Sequence, residues 1–474
     1  MRPSTLSIVA VCVLLGVATT PRPVASARGQ EGGTATRISW ADTAPLRVQL
    51  EAQGLTPASF PSYVERLSQA HATRVRLGDL DHLVFYLLQS KGFTSLPSIE
   101  PALSARALVD GLTDEQREAF LRGGDLNSSR VPDAVRARIS RLMVALGAPT
   151  RDARLIYFGE LVRTAFPGSK DREPNLVREY LRVMRFVYEK EFVAQRSPRP
   201  ADAVADLYRS RGLSTDTAVE AGFVVSIGLG ILKSLEPDSR IRRVLIVGPG
   251  LDLAPRTALL EAGPPESYQP WAVMDALVAR GLSRLDDLEV TAADINPRVV
   301  SHLRRAHETP PTLVLMSEIR DSETVTLTAD YRDYFVGLGR AITDASSPPV
   351  SGRPFEGHLR STVRVGPAAA RALEAGTLDI VTERLAGKPF DLVVATNILP
   401  YFDDGELMLA MTNVAAMLAP GGVFLHNEGR PLMGAITDAV GLPFEQSRHV
   451  VIATVRGAPA PLFDSVWLHR KVKE

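Results

Sequence analysis

Val244-Leu245-Ile246-Val247 runs directly into Gly248-Pro249-Gly250-Leu251-Asp252, and no other stretch constrains the fold as tightly. Four apolar side chains in succession mark a strand buried on both faces, as parallel strands are beneath covering helices. Glycines straight after such a strand let the backbone turn sharply and let a ligand approach where a Cβ would collide. Further apolar runs at 288–294, 378–381, 390–395 and 423–426 are mostly separated by helical stretches. In one of these, Asp404 is placed to cap a helix with Leu407, Met411, Val414 and Leu418 on one face, ended by Pro420-Gly421-Gly422. Two last strands, near 448–455 and 463–470, are spaced as an antiparallel hairpin at a sheet edge. Strands alternating with helices predict an α/β fold with a mostly parallel sheet covered on both faces.

The order of these features resembles the class I S-adenosylmethionine-dependent methyltransferases over about 235–474. The resemblance implies a Rossmann-like, seven-stranded, mostly parallel sheet with an antiparallel C-terminal hairpin, and S-adenosyl-L-methionine as cofactor. In that likeness Gly248, Pro249 and Gly250 form the loop beneath the methionine portion of the cofactor. Asp294, with Ile295 beside it, ends the second strand, where the family's acid accepts hydrogen bonds from both ribose hydroxyls. Asp379 and Ile380 lie in the third strand region, where family members contact adenine. The stretch 390–397 resembles the segment whose strand end faces the methyl group, so Asn397 belongs with both the cofactor and the chemistry.

Two positions depart from the family pattern. Ile246 stands where an acid is usual, and Asp252 replaces a third glycine. Asp252 either contacts the cofactor's amino group from another direction or is a helix-start acid favoured by the macrodipole, worth about 0.3–1 kcal/mol. The stretch 254–287 is long for one helix and a loop, and Gly263-Pro264-Pro265 breaks it. Tyr268 and Trp271 there read as a flap over the cofactor or as surface packing. An insertion at about 309–376 carries an expected hairpin, 312–317 with 323–328, and a Pro/Gly/Ser loop at 345–357. Insertions of that length are commonly lids, so substrate choice is expected to live there.

Methyl transfer from a sulfonium asks for in-line alignment more than for an acid or base, and orientation alone supplies about 7–11 kcal/mol. Asn397 and Tyr401 are the expected catalytic residues, with Pro400 beside them. An Asn carbonyl and a Tyr hydroxyl can orient a nucleophile or accept contacts from the polarised methyl group. The plainer role for Tyr401 is packing below the strand end, and for Asp403 and Asp404 helix capping. The methyl acceptor, a small molecule or a protein, is not written in the sequence. An NAD(P)-dependent oxidoreductase would want a third glycine where Leu253 stands and an acid about 20 residues on, whereas Asp294 lies much further away. The other alternative is an exported, non-catalytic binding or scaffold protein with a degenerate methyltransferase fold, which the glycines and Asp294 argue against.

The first half is helical from Trp40 to about Arg196 and carries no chemical signature. Leu80, Leu83, Val84, Leu87 and Leu88 make an apolar stripe. Thr113 and Gln116 form a capping box. Pro132 opens a helix that Gly147 closes. Leu176, Tyr180, Leu181, Met184, Val187 and Tyr188 stripe another helix, with core packing the expected role. His82 is expected as a satisfied, partly buried histidine rather than a base. Ser197-Pro198-Arg199-Pro200 reads as the seam between an all-α domain at 40–196 and the sheet domain at 201–474. Ser214 and Thr215 are placed to cap a helix reaching Leu235, in which Gly228 and Gly230 invite close packing.

At the start, Arg2, the apolar stretch 6–17 and Ala25-Ser26-Ala27 read as a signal peptide over 1–27, followed by a loose linker at 28–39. The apolar stretch is shorter than the ~20 residues of a membrane span. Export to the periplasm or medium is the expectation, or a cytoplasmic protein if the start codon is misassigned. Cys12 is the single cysteine, which excludes a disulfide framework, a thiolate zinc site and a cysteine nucleophile in the body. No metal-ligand spacing stands out. Fifty-four basic and fifty-four acidic side chains cancel, so no global field indicates nucleic acid as a partner.

Overall fold

Seven strands build the central sheet: β1 (Arg243–Val247), β2 (Glu289–Asp294), β3 (Leu373–Thr377), β4 (Phe390–Ala395), β5 (Leu418–His426), β6 (Phe444–Ala453) and β7 (Phe463–Arg470). The computed structural model describes residues 34–254, 260–322, 325–344, 350–352, 355–456 and 463–473. Across the sheet the order is β6-β7-β5-β4-β1-β2-β3. Neighbours from β5 through β3 are parallel, and β7 runs against both β5 and β6. The signal-peptide stretch 1–27 and the 457–461 turn lie outside the described residues.

Alternation along β1 explains its unbroken apolar run. Val244 and Ile246 face one core, while Leu245 and Val247 face the other, as the period of two demands. Four helices position the cleft at the end of this strand: α1 (Phe60–Gln89), α2 (Val219–Leu235), α3 (Pro297–Glu308) and α4 (Asp404–Met417). On the first face α2 lies so close that a Cβ at Gly228 would come within 2.7 Å of Val466 and 2.8 Å of Leu425. On the second face α4 packs with Leu46, Leu50, Phe60 and Val64 from the beginning of the chain. A third core inside the helical bundle is closed by Leu253, Ala254 and Leu260, which follow β1.

The two halves therefore share cores, and Gly32–Glu474 is one compact unit. Ser197-Pro198-Arg199-Pro200 carries the chain between helices without dividing the molecule. The linker expected through residue 39 is also ordered in part: Ala35–Arg37 pairs antiparallel with Glu383–Leu385.

Several local expectations shift. The third strand is Leu373–Thr377, not 378–381, because Asp379 accepts the Val381 N–H at 3.1 Å and turns the chain out of the sheet. The helix before β1 starts at Val219, since the residues before it are not helical and Thr215 is tied to the glycine loop by the Leu251 N–H. Thr312–Met316 pairs with Arg360–Arg364, and Thr326–Leu327 pairs with Val455–Arg456, so the hairpin 312–317 with 323–328 does not form. Burying Leu313 and Leu315 against Val363 sets that register. Asp403, not Asp404, caps α4, its side chain accepting the Glu406 N–H at 2.8 Å. Trp271 is buried in the first core, so it forms no flap. Parts of the 345–357 loop lie outside the described residues. Among the described residues no helix is long and apolar enough to cross a membrane.

Candidate active site

Strand order reverses about β1, with β2 on one side and β4 on the other, and a ligand crevice opens outside the carboxyl ends at such a switch point. Register puts Val247 level with Ala293 and Ala395. The segments beyond these strand ends therefore leave the sheet at one height. They enclose a cleft of about 680 Å³, counting its open mouth. Gly248, Gly250, Asp294, Ile295, Asp379, Ile380, Asn397 and Tyr401 line it. His71, Ser214, Asp216 and Thr217 close it from the chain's first half and the segment before α2.

Gly248 and Gly250 have φ of +66° and +72°, the left-handed region that glycine enters freely. A Cβ on Gly250 would meet Thr217 Oγ1 at 1.9 Å and Thr215 O at 2.5 Å. The Leu251 N–H donates to that same Thr215 carbonyl at 2.7 Å. The glycine loop is thus braced from behind, which keeps its other side open to the cleft.

The carboxylate of Asp294 accepts the Gly250 N–H at 3.3 Å on one oxygen and the Asn296 N–H at 2.8 Å on the other. Burial pushes its pKa up to about 6 against the pull of those amides, and nearby Asp79 adds to the rise. Asn296 is held in turn by Asp79 of α1, at 3.0 Å.

His71 on α1 lies between two carboxylates, 2.9 Å from Asp379 and 2.8 Å from Glu406. Burial opposes its charge, but the two acids outweigh burial and hold its pKa at about 9. Both acids are held below the usual carboxylate range although burial alone would raise them. Asp379 is further occupied by the Thr382 hydroxyl at 2.8 Å. Eleven positions along α1 from His71, His82 Nδ1 faces Asp216 at 3.0 Å, and its Nε2 meets the Thr215 N–H at 3.3 Å. Helix α1 is a wall of the cleft.

Asn397 has φ +60°, rare for a residue with a side chain. A reciprocal pair holds it there. Its N–H donates to Asn427 Oδ1, and Asn427 Nδ2 donates to Asn397 Oδ1, both at 2.9 Å. Tyr401 is nearly buried, and its carbonyl accepts from Arg74 at 2.9 Å.

No family model and no curated protein matches the chain. Solved structures are similar to about half of it. The N-methyltransferase NodS from Bradyrhizobium japonicum WM9 is 14% identical over 53% of this chain and 97% of its own, with a TM-score of 0.28. Magnesium protoporphyrin IX methyltransferase (ChlM) from Synechocystis PCC 6803, with bound SAM, is 10% identical over 57% and 96%, with a TM-score of 0.28.

Two expected residues stand back from the cleft. Pro249 is buried and does not line it. Asp252 also lies away, its N–H donating to the Glu266 carbonyl at 2.8 Å. Burial holds its pKa well above the usual carboxylate range, with Asp216 and Glu318 adding to the effect. Sequence reasoning missed His71 and Asp216. Neither carries a local signal, because the partners of His71 lie more than 300 residues away. Among the described residues no cluster of His, Cys, Asp and Glu is arranged to hold a metal.

Proposed function

We propose that this chain is an S-adenosylmethionine-dependent methyltransferase. The observation that carries the reading is Asp294 at the carboxyl end of β2, beside the braced Gly248–Gly250 bend at the switch point. Each oxygen of that carboxylate accepts one backbone N–H, and a carboxylate has about four lone-pair sites. Capacity remains for two ribose hydroxyls. Ile295 and Ile380 supply apolar surface nearby, which fits a purine. Asp379, with its oxygens committed, contributes by holding the 378–382 turn in place. Asp216 lines the cleft between two threonines that contact the glycine loop, so it supplies the carboxylate missing at Ile246.

When bound, the cofactor would supply an electrophilic methyl group. The chain's part is to fix direction and exclude water. Asn397, pinned by Asn427, presents its side chain where the cleft meets the neighbouring cavity, and Tyr401 forms the floor. In-line alignment of this kind needs no dedicated base. Calorimetry with S-adenosylhomocysteine tests the reading, with micromolar affinity expected, about −8 kcal/mol. Binding of NADH with no response to either sulfur nucleotide would overturn it.

A further inference from the structure

Beside the cleft, and sharing Ser214, Asp216, Asn397 and Tyr401 with it, lies a second cavity of about 1770 Å³ counting its open mouth. Asp216, Glu318, Glu428 and Asp464 are among the residues that line it, with no lysine or arginine among its described lining residues. Asp216 has His82 at 3.0 Å. Asp464 accepts the Ser465 N–H at 2.7 Å and lies 3.3 Å from Asn427 Nδ2.

Glu428 has nothing comparable. Both its carboxylate oxygens are buried and no side chain donates to them, while the Leu399 and Asn397 amides lie near without closing a good hydrogen bond. Arg430, the cation two residues on, is committed to the carbonyls of Leu399 and Phe402 and to Asp404. Burial and the neighbouring Asp464 push the Glu428 pKa well above the carboxylate range, against the weaker pull of the Leu399 and Asn397 amides and of Arg430. A buried acid with no side-chain donor on it is a standing cost that an arriving cation removes. Strained Asn397 sits on the boundary between the two cavities, so whatever fills the second one reaches the first.

We infer that the second cavity takes the methyl acceptor and that the acceptor is an organic cation, anchored by an ammonium group at Glu428 and Asp464. The inference rests on the methyltransferase reading for the word acceptor, but the cation site stands on its own geometry. The ammonium is the anchor, and the atom that receives the methyl group lies toward Asn397.

Calorimetry of the full chain with spermidine, at physiological ionic strength and with or without S-adenosylhomocysteine, tests the site. Spermidine is expected to bind, and Glu428→Gln to weaken it at least tenfold. The exposed control Glu115→Gln should leave it unchanged, and glutarate, a dianion, should not bind. Equal binding of glutarate, an unaffected Glu428→Gln variant, or no spermidine binding would each overturn the inference. If Glu428→Gln does not fold, Asp464→Asn carries the same test with the same expected loss. The two readings fail separately. Spermidine bound through Glu428 without any S-adenosylhomocysteine binding keeps the cation site and removes the methyltransferase. S-adenosylhomocysteine binding without spermidine does the reverse.

Discussion

His71 and Asp379 stand 308 residues apart in the chain and 2.9 Å apart in the fold. Because Glu406 takes the other ring nitrogen, the imidazolium joins α1 to both the turn after β3 and the first turn of α4. Its folded pKa of about 9 lies above the ~6.5 of an unfolded chain. Its stabilisation is therefore complete below about pH 6.5 and is lost as pH rises toward 9. Unfolding free energy should fall by on the order of 3 kcal/mol across that window. The same denaturant titrations on His71→Gln should lose this slope. A wild-type curve no steeper than the variant's would mean the ring is not charged between its acids.

Asp294 works in the opposite sense. Its carboxyl is held near pH 6 by burial, and only the ionised form accepts two hydroxyl donors. Affinity for S-adenosylhomocysteine should weaken as pH falls below about 6, by at most about tenfold per pH unit. Asp294→Ala should cost about 3–5 kcal/mol of binding at any pH above that, from two charge-assisted bonds with partial compensation. Stability without ligand should change little, because a penalised buried charge is removed along with its hydrogen bonds. Equal binding by variant and wild type would make Asp294 a turn residue only.

Two glycines separate backbone strain from packing. Gly281 has φ +63° with nothing within 4 Å of a built Cβ, whereas Gly250 has φ +72° and Thr215 O at 2.5 Å. Gly281→Ala should cost about 1–2 kcal/mol, the penalty of a left-handed alanine. Gly250→Ala should cost clearly more and abolish binding, since Thr215 O is backbone and cannot swing aside. Thermal melts of the two variants side by side provide the comparison. Equal losses would mean that the bracing behind the loop is unimportant.

At Asn397 backbone and side chain can be tested apart. Asn397→Gly keeps the left-handed turn and the N–H donated to Asn427, so stability should hold within about 1 kcal/mol. Methyl transfer to any acceptor found should nevertheless fall at least tenfold. Asn427→Ala removes both bonds of the reciprocal pair, about 1–2 kcal/mol, and should lower stability and transfer together. Undiminished transfer by Asn397→Gly would assign the residue to the turn alone.

Much of the sheet is legible because its cues are local. An unbroken apolar run, a glycine bend and a strand-ending Asp294 each declare themselves within ten residues, whereas Pro420-Gly421-Gly422, expected to end the helix, lies inside β5 where its register shifts. The third strand misleads because after Leu373 it is made of small and polar residues, whereas the apolar residues that follow it are buried in a turn held by Asp379. The helical half misleads for another reason. Its two apolar stripes do pack inside the bundle, but Leu46, Leu50, Phe60 and Val64 are buried against the sheet. Nothing in a stripe says which neighbour it meets. His71 is invisible for the same cause: one polar residue on a long helix looks like solvent-facing punctuation until its two carboxylates arrive from elsewhere in the chain.

Helix α1 is thirty residues long, about 45 Å of unbroken rod. Near its middle it grips the turn after β3 and the start of α4, and about 12–17 Å further on it holds the residues after β2 and the segment before α2. Beyond that its apolar end is sunk in the bundle. Mechanically this makes α1 a crowbar with its handle in one body of helices and two points of purchase on the rim of the cleft. The two sides of the rim cannot be adjusted independently. A load on the bundle, at a distance from any reacting atom, therefore has a route to both sides of the rim through one rod.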